Sequence, residues 1–331
     1  MINKNFEFKD KNILVTGGTG FVGSHLVEEL VKQKANVVTT FRTIKPLSYF
    51  YSKKLDQKVT MINMDICDYE KVLDVITKFD IEYVFHLAAQ ALVEPAYYNP
   101  KQTLYSNVMG TINVLEAARQ FEKVKAIIVA SSDKAYGKLS AAKSRQGRDK
   151  YIETDALKGD HPYEVSKSAA DLISYSYYKT YGLPVVITRF GNIYGEGDLN
   201  FSRIIPGIMK SIIEKSTLEI RSNGKYVRDY LYVKDVVNGY LLLANGIDKV
   251  KGEAFNFGSK ETLSVIELIK LTKKVLKKNT NYKILNTAKN EIPYQSLDYT
   301  KIKKAISWQQ KHSLKVTLEN IFNYYQKILR S

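Results

Sequence analysis

Two short stretches carry side chains whose types and spacing suit proton transfer. Ser132, Asp133 and Lys134 follow closely after the apolar run AIIVA. Farther along the chain, Tyr163 and Lys167 stand four residues apart and therefore share one face of a helix. A nearby ammonium favours the phenolate form of a tyrosine and lowers its pKa from about 10, which makes the tyrosine a usable acid or base. Ser132 could hydrogen-bond the same substrate hydroxyl.

A glycine-rich loop near the N-terminus predicts dinucleotide binding. Gly17, Gly20 and Gly23 lie between a short apolar strand and an amphipathic helix in the sequence TGGTGFVG. Glycines at these positions allow a tight turn, close approach of the backbone to a pyrophosphate and close packing of the helix on the strand. The amino end of the helix offers N–H groups and the positive end of its dipole to the phosphates. A nucleotide-triphosphatase loop is excluded, because no Gly-Lys-Ser/Thr follows.

The residues after the second strand favour NADP. An acidic residue there would hold the ribose hydroxyls of NAD, whereas this chain has Arg42 in the sequence TTFRT. A guanidinium suits the 2′-phosphate of NADP, although Arg42 could also be an ordinary surface cation. Asp65, after the third strand, could accept a hydrogen bond from the adenine amino group or cap a helix. We therefore expect NADP, with NAD as the alternative.

Alternating strands and helices position these motifs. Strands are predicted at residues 11–17, 36–41, 59–65, 83–89, 125–132 and 184–190, and helices at 21–33, 69–79, about 99–120 and 162–181. Strands that alternate with helices form a parallel sheet covered by helices on both faces. The apolar, β-branched strands fit burial on both sides. The predicted fold class is α/β, a doubly wound parallel sheet of Rossmann type with a smaller C-terminal substrate lobe.

The regular alternation loosens after about residue 192. RIIPGIMKSIIEK has helical spacing, and YVRDYLYVKDVVNGYLLLAN fits a short strand that runs into a helix. We assign residues 1–190 to a dinucleotide-binding domain that carries the catalytic residues, and residues 191–331 mainly to a substrate-binding lobe. No Pro/Gly/Ser-rich linker separates the halves, so we expect the two lobes to be interleaved.

Composition excludes several classes of protein. The longest apolar runs have strand length and fall far short of the ~20 residues that span a bilayer, and the N-terminus lacks an apolar signal region. We therefore expect a soluble, cytoplasmic protein without a membrane partner. Cys67 is the only cysteine among 331 residues, so an internal disulfide is impossible, and the four scattered histidines disfavour a metal site. The net charge of +16 could attract a nucleotide or a nucleic acid, but dispersed lysines favour a solvated surface.

Taken together, the motifs resemble the extended short-chain dehydrogenase/reductase family, which includes nucleotide-sugar epimerases and dehydratases. TGGTGFVGSH, DICD, FHLAAQ, SNVMGTINVLEAAR, RFGNIYG and VRDYLYVKDVV match its pattern in order over nearly the whole chain. The resemblance implies hydride abstraction from a sugar C4 by a bound nicotinamide and a second lobe for a nucleotide-diphosphate sugar. It also implies a homodimer that pairs through the helices near 99–120 and 162–181. The implied cofactor-binding residues are Gly17, Thr19, Gly20, Phe21, Val22, Gly23, Arg42, Asp65, Ile66, Leu87, Ala88, Ala89, Tyr163 and Lys167.

The residues after Ser132 are similar to those of the 4,6-dehydratases, which are lyases of deoxysugar biosynthesis. In that group, an aspartate protonates the departing C6 hydroxyl and a glutamate removes the C5 proton. Asp133 matches the aspartate, whereas Lys134 stands in place of the glutamate. The Asp-Lys variant resembles CDP-glucose 4,6-dehydratases, while TTFRT resembles GDP-mannose 4,6-dehydratases. The resemblance thus implies a 4,6-dehydratase with CDP-glucose favoured and GDP-mannose next, unless Asp133 and Lys134 are only a solvated loop pair.

Four further residues are candidates for binding or support. Asn192 matches a family position that contacts the diphosphate. Arg228, in YVRDY, could clamp a phosphate because guanidinium binds phosphate bidentately. Arg203 is a weaker candidate, and either arginine could be a surface residue. Asn107 could orient the active-site helix through buried hydrogen bonds, or it could be only structural.

Two other functions stay open. In a nucleotide-sugar 4-epimerase, Asp133 and Lys134 would take no part in the chemistry, and the product would keep the mass of the substrate. A non-catalytic dinucleotide-sensing or RNA-binding protein is conceivable from the charge of +16, although Tyr163 and Lys167 are both present. A salt-dependent affinity for nucleic acid would favour it.

Overall fold

A seven-stranded parallel sheet forms the centre of this computed structural model, which describes residues 8–138, 150–287 and 292–330. The strands in chain order are β1 (Asn12–Thr16), β2 (Asn36–Phe41), β3 (Thr60–Asn63), β4 (Tyr83–His86), β5 (Ala126–Ala130), β6 (Val185–Phe190), β7 (Asn192–Tyr194), β8 (Leu218–Ile220), β9 (Val227–Tyr232), β10 (Ala254–Phe257), β11 (Thr262–Ser264), β12 (Tyr282–Ile284) and β13 (Tyr294–Gln295). The helices are α1 (Phe21–Lys32), α2 (Tyr49–Ser52), α3 (Tyr69–Lys78), α4 (Val93–Tyr98), α5 (Pro100–Leu104), α6 (Gly110–Gln120), α7 (Pro162–Tyr181), α8 (Ile204–Glu214), α9 (Val233–Asn245), α10 (Ile247–Val250), α11 (Val265–Leu276), α12 (Thr300–Ile306) and α13 (Leu314–Arg330).

Alternate residues of the central strands face opposite layers of helices. In β5, Ala126 and Ile128 belong to the core that includes residues of α1 and α9, whereas Ile127 and Val129 belong to the core that includes residues of α3 and α6. Side chains alternate along a strand, so a strand covered on both sides must be apolar at every position. This arrangement confirms the predicted α/β fold with a doubly wound parallel sheet.

The order of strands in the large sheet is β10-β6-β5-β4-β1-β2-β3. β1 therefore pairs with both β2 and β4, and the direction of strand addition reverses between β1 and β4. In open α/β sheets, ligands bind beyond the carboxyl ends of the strands at such a reversal. The glycine loop follows β1, and the sequence LAA follows β4, so both border this crevice.

The smaller lobe is built around β9. This strand pairs antiparallel with β11 and parallel with β7 and β13, while β8 and β12 form a separate parallel pair. A third apolar core includes residues of β9, α8, α11 and α13. The chain also returns to the large sheet at β10, which pairs with β6. The domain division at residue 190 stays a prediction.

The long helix predicted near 99–120 is interrupted. α5 ends at Leu104, a π-helical turn follows at Tyr105–Met109, and α6 begins at Gly110. The other nine predicted strands and helices of the first 190 residues are confirmed, with ends that differ by at most three residues. No helix in the described ranges is long and apolar enough to cross a membrane.

Candidate active site

The glycine loop is shaped for a dinucleotide. Gly17 has a φ of +71°, and a Cβ atom there would lie 2.9 Å from the Ala88 backbone. A Cβ atom at Gly23 would overlap the carbonyl oxygen of Gly17. Within the described residues, no side chain caps α1 at Gly20, and its first turn carries no acidic residue. The N–H groups at the amino end of α1 are therefore available to a pyrophosphate, and these residues fit the predicted cofactor.

Hydrogen bonds join the carboxyl ends of β1 and β4. Thr16 Oγ1 lies 2.9 Å from Nδ1 of His86 and accepts a 3.2 Å hydrogen bond from the Ala88 N–H. His86 Nε2 lies 3.2 Å from the hydroxyl of Thr111 on α6. Burial lowers the pKa of His86 to about 3, and the charge of Lys167 acts in the same direction. His86 is therefore a neutral structural link that fixes the segment Leu87–Ala89 beside the glycine loop.

The remaining predicted cofactor contacts lie around this crevice. Thr19 is in the glycine loop, and Phe21 and Val22 form the start of α1, where Phe21 also packs near Gly195 of the second lobe. Ile66 follows β3 and packs on Gly110 of α6. The structure thus places these residues along one edge of the large sheet.

Arg42 and Asp65 form a pair at the ends of β2 and β3. Arg42 Nη1 donates to Asp65 Oδ2 at 3.5 Å, and both side chains are about half exposed. Asp65 Oδ1 accepts from the Cys67 N–H at 3.0 Å. Burial acts to raise the pKa of Asp65, but this hydrogen bond and the Arg42 charge hold the pKa below its usual value. Asp68, not Asp65, caps α3, so the capping alternative for Asp65 is wrong.

The structure brings Ser132, Tyr163 and Lys167 together at the carboxyl end of β5. All three side chains are buried, and Lys167 Nζ donates to Ala130 O at 2.8 Å. α7 begins just before Tyr163, where His161 Nδ1 accepts from the Tyr163 N–H at 3.3 Å and Pro162 occupies the first turn. Burial lowers the pKa of Lys167 to about 8, with Asp171 acting against it.

The predicted lowering of the Tyr163 pKa is wrong for the protein alone. Burial raises the pKa of Tyr163 to about 12, although hydrogen bonding with Ser132 acts against this rise. The Lys167 ammonium donates to Ala130 O, and removal of the phenol from water outweighs any favourable charge. In the protein alone, the phenol form of Tyr163 is therefore favoured over the phenolate.

Asp133 is buried directly beside Ser132. Ser132 caps the 3₁₀ turn Asp133–Tyr136, and its hydroxyl donates to Asp133 Oδ1 at 3.1 Å and accepts from the Lys134 N–H at 3.2 Å. Burial raises the pKa of Asp133, while Lys134, Ser132 and Arg228 act against this rise. A solvated loop pair is therefore wrong for Asp133, which is buried and whose pKa lies above its usual value.

Lys134 is half-buried and reaches the smaller lobe. Its Nζ donates to Oε1 of Gln295 on β13 at 3.2 Å. Gln295 could not be identified from the sequence, because it lies 161 positions from Lys134 and no recognisable motif surrounds it.

The three predicted substrate residues border the same cluster. Asn192 directly follows Gly191. A Cβ atom built on Gly191 would lie 3.8 Å from Asp133 Oδ2. Arg203 pairs with Asp198 at 3.0 Å, and its charge acts to lower the pKa of Tyr163. The charge of Arg228 acts to lower the pKa of Asp133. The roles of these residues stay predictions.

Asn107 links the segment after β4 to α7. Its Oδ1 accepts from the Gln90 N–H at 2.7 Å, and its Nδ2 donates to Gln90 O at 3.1 Å and to Ser166 Oγ at 2.8 Å. Ser166 in turn donates to the Tyr163 carbonyl at 2.7 Å. These contacts support the prediction that Asn107 orients the helix carrying Tyr163.

Comparison with known proteins agrees with this geometry. The model of the NAD dependent epimerase/dehydratase family matches residues 13–258. The chain is 31% identical to a CDP-glucose 4,6-dehydratase of Salmonella typhimurium over 348 aligned positions, which cover 100% of this chain and 94% of that protein.

Solved structures of epimerases are similar to this chain to a degree comparable with that dehydratase. The UDP-glucose 4-epimerase of Thermotoga maritima, solved with UDP-glucose, is 30% identical with a TM-score of 0.83, and the match covers 96% of this chain and 99% of that one. The UDP-glucuronic acid 4-epimerase of Bacillus cereus, in complex with UDP-glucuronic acid and NAD, is 26% identical with a TM-score of 0.86 at the same coverage. Overall similarity therefore does not separate dehydration from epimerisation.

Proposed function

Because the chain belongs to the NAD dependent epimerase/dehydratase family, we propose that it is a nucleotide-sugar 4,6-dehydratase. This lyase would convert an NDP-hexose, CDP-glucose first and GDP-mannose next, to the NDP-4-keto-6-deoxyhexose. The observation that carries the proposal is the burial of Asp133 beside Ser132, with Lys134 next in the same turn. Loss of water needs a proton donor for the departing C6 hydroxyl, which a buried acid with a raised pKa would supply, whereas 4-epimerisation requires no such donor.

The first step is proton removal from the sugar C4 hydroxyl. Ser132 holds this hydroxyl, and Tyr163 takes its proton as a phenolate. A nicotinamide bound at the glycine loop would supply the hydride chemistry, from C4 and back to C6, and its positive charge in the oxidised form would favour the Tyr163 phenolate. Lys167 lies one helical turn from Tyr163 and adds a second positive charge when it is protonated.

The second step is loss of water across C5 and C6. The 4-ketone acidifies the C5–H bond, and Lys134 in its amine form takes the C5 proton. The electron pair forms the C5=C6 double bond, the C6–O bond breaks, and Asp133 gives its proton to the leaving hydroxyl. After C6 is reduced, Lys134 returns its proton to C5. Tyr163 then carries one extra proton and Asp133 lacks one, and exchange with solvent resets both, so the sugar loses one water without net oxidation.

NADP is the cofactor that Arg42 favours. Its half-exposed guanidinium lies at the end of β2. A 2′-phosphate could displace the Asp65 carboxylate from this guanidinium or bind the guanidinium beside it. NAD is the alternative, because the Bacillus cereus epimerase was solved with NAD.

A homodimer is supported by exposed apolar side chains on α4, the π-helical turn and α7. These side chains are 42–84% exposed and belong to Tyr97, Tyr98, Tyr105, Val165, Leu172, Tyr175 and Tyr181. α7 packs on α4, α5, α6 and the π-helical turn, so these side chains lie on adjoining elements. Exposed apolar surface of this kind marks an interaction site in many proteins.

The test is mass spectrometry of nucleotide sugars after incubation with the protein. CDP-glucose, GDP-mannose, UDP-GlcNAc and dTDP-glucose are each incubated with NADP⁺ and, separately, with NAD⁺. We expect one sugar to lose the mass of one water, and to do so faster with NADP⁺. The variant Asp133→Asn should lower the rate of water loss about 10²- to 10³-fold.

The control is Asp248→Asn, which makes the same change at an exposed aspartate of α10 and should leave the rate unchanged. A product of unchanged mass but altered chromatography would identify an epimerase and remove the catalytic role of Asp133. Unchanged nucleotide sugars in every incubation would contradict the substrate class.

A further inference from the structure

A buried glutamine of the smaller lobe contacts Lys134 at the centre of the site. Gln295 is only 1% exposed, and its Oε1 accepts the 3.2 Å hydrogen bond from Lys134 Nζ. In the register of β13 and β9, Gln295 lies beside Arg228. Gln295 therefore belongs to the part of the smaller lobe that contacts the turn carrying Asp133 and Lys134, the acid and the amine of the proposed elimination.

The contact with Lys134 fixes the orientation of the Gln295 amide. Lys134 donates an N–H to the amide, and the proposed reaction reserves the lone pair of its amine form for the C5 proton, so the amide directs its oxygen toward Lys134 and its NH₂ group elsewhere. That NH₂ group is buried and has no acceptor among the residues that the structure describes. A buried donor without a partner costs folding stability. A substrate oxygen that accepts from it would recover this cost on binding.

We propose that Gln295 is a positioning residue for the loss of water, holding Lys134 beside Asp133 with its amide oxygen and donating from its NH₂ group to a hydroxyl oxygen of the hexose. This inference rests on the proposed dehydratase function. A neutral amide suits the task better than a carboxylate. A carboxylate would hold the proton on Lys134 by its charge and suppress the amine form that takes the C5 proton.

The test compares Gln295→Met with the wild-type protein. Methionine has a similar volume but can neither accept from Lys134 nor donate to the sugar. We expect the rate of water loss to fall about 10- to 100-fold, a loss typical of one or two hydrogen bonds made in the transition state. Oxidation at C4 depends on Ser132 and Tyr163, so it should continue in the Gln295→Met variant. The near-ultraviolet absorbance of the reduced cofactor should therefore increase before water is lost.

Thermal unfolding separates positioning from a structural role. Gln295→Met removes an unpartnered buried donor, so its midpoint should stay equal to the wild-type midpoint or rise. Gln295→Glu keeps an acceptor for Lys134 but adds a negative charge. Its rate of water loss should fall at least as far as that of Gln295→Met. Gln57→Met, at an exposed glutamine, is the matched control and should change neither the rate nor the midpoint.

The outcomes distinguish this inference from the proposed function. If the wild type loses water and Gln295→Met does so at the same rate without build-up of reduced cofactor, the inference is wrong and the function stands. A drop of several degrees in the Gln295→Met midpoint would make Gln295 a structural residue and also overturn the inference. If the wild type removes water from no nucleotide sugar, the proposed function fails and the inference fails with it.

Discussion

Burial acts on three titratable residues of the site by favouring the uncharged form of each. It lowers the pKa of Lys167 to about 8, raises the pKa of Tyr163 to about 12 and raises the pKa of Asp133. The neutral acid at Asp133 is the form that can protonate a leaving hydroxyl. The neutral phenol at Tyr163 requires a cation before it can act as a base. In the proposed reaction, the site would therefore become reactive only when the oxidised cofactor is bound.

The buried Lys167 lowers the stability of the fold. Its folded pKa of about 8 lies below the ordinary value of 10.5, so between these two pH values the unfolded chain binds more protons, and the free energy of unfolding rises with pH. At pH 7 the protonated amine is present in both states, and its burial penalty is complete. We expect Lys167→Met to abolish turnover and to raise the free energy of unfolding at pH 7 by roughly 1–3 kcal/mol.

Denaturant unfolding at several pH values measures this effect. The advantage of Lys167→Met over the wild type should shrink as pH rises from 8 toward 10.5, because the wild-type lysine then loses its proton in the folded state first. Lys179→Met, at an exposed lysine of the same helix, should show no such dependence. A constant difference between Lys167→Met and the wild type at all pH values would contradict the prediction.

At the scale of single residues, the sequence predicts which side chains could act in catalysis but not which residues they contact. Ser132, Tyr163 and Lys167 carry a recognisable spacing, whereas the contact between Lys134 and Gln295 joins two lobes without a motif. The spacing of Tyr163 and Lys167 also does not predict whether the pKa of Tyr163 is raised or lowered. Helical spacing shows that a lysine is near the tyrosine, but the degree of burial decides which influence on the pKa is larger.

Helix α7 is held in place by buried polar contacts at several points along its length. Near its start, Asn107 bonds Ser166, which bonds the Tyr163 carbonyl. Farther along, Asp171 accepts two hydrogen bonds from Arg189 of β6, at 2.7 and 2.8 Å. Such buried contacts are satisfied in one geometry only, so they fix the position of the helix that carries the proposed acid/base residue.

Asn107→Ala should loosen the start of α7. The change removes three hydrogen bonds of a buried side chain and leaves the Gln90 N–H without its partner, so we expect a loss of about 2–4 kcal/mol in the free energy of unfolding. Turnover should fall as well, because Ser166, which bonds the Tyr163 carbonyl, loses its link to Asn107. Ser166→Ala breaks fewer of these bonds and should cost less. Equal stability of Asn107→Ala and the wild type in denaturant unfolding would show that Asn107 does not hold the helix.

Elements in the first half of the chain could be predicted well, because strands buried on both faces and amphipathic helices have distinct apolar patterns. The π-helical turn at Tyr105–Met109 could not be predicted, since it keeps the helical apolar spacing on either side. Its departure from α-helical geometry coincides with Asn107, which is buried and directed at α7.

At the scale of the whole molecule, the candidate site lies where the large sheet and the smaller sheet around β9 meet. Ser132, Tyr163 and Lys167 come from the large sheet and α7, whereas Gln295 and Arg228 come from the smaller sheet. The order of strands and the return of the chain at β10 depend on contacts between distant residues, and local patterns do not encode such contacts.

The proposed homodimer is tested by one charge on α7. Leu172 is 57% exposed in the single chain, and in the proposed interface it would be buried against a second copy. Leu172→Glu would place an unpaired carboxylate in that interface, at a cost that exceeds what a pair of helices gains on association. Sedimentation velocity should then give two chains per particle for the wild type and one for the variant. Val316→Glu, at a 66% exposed valine of α13, should leave the wild-type mass unchanged, and a dimeric Leu172→Glu variant would place the interface elsewhere.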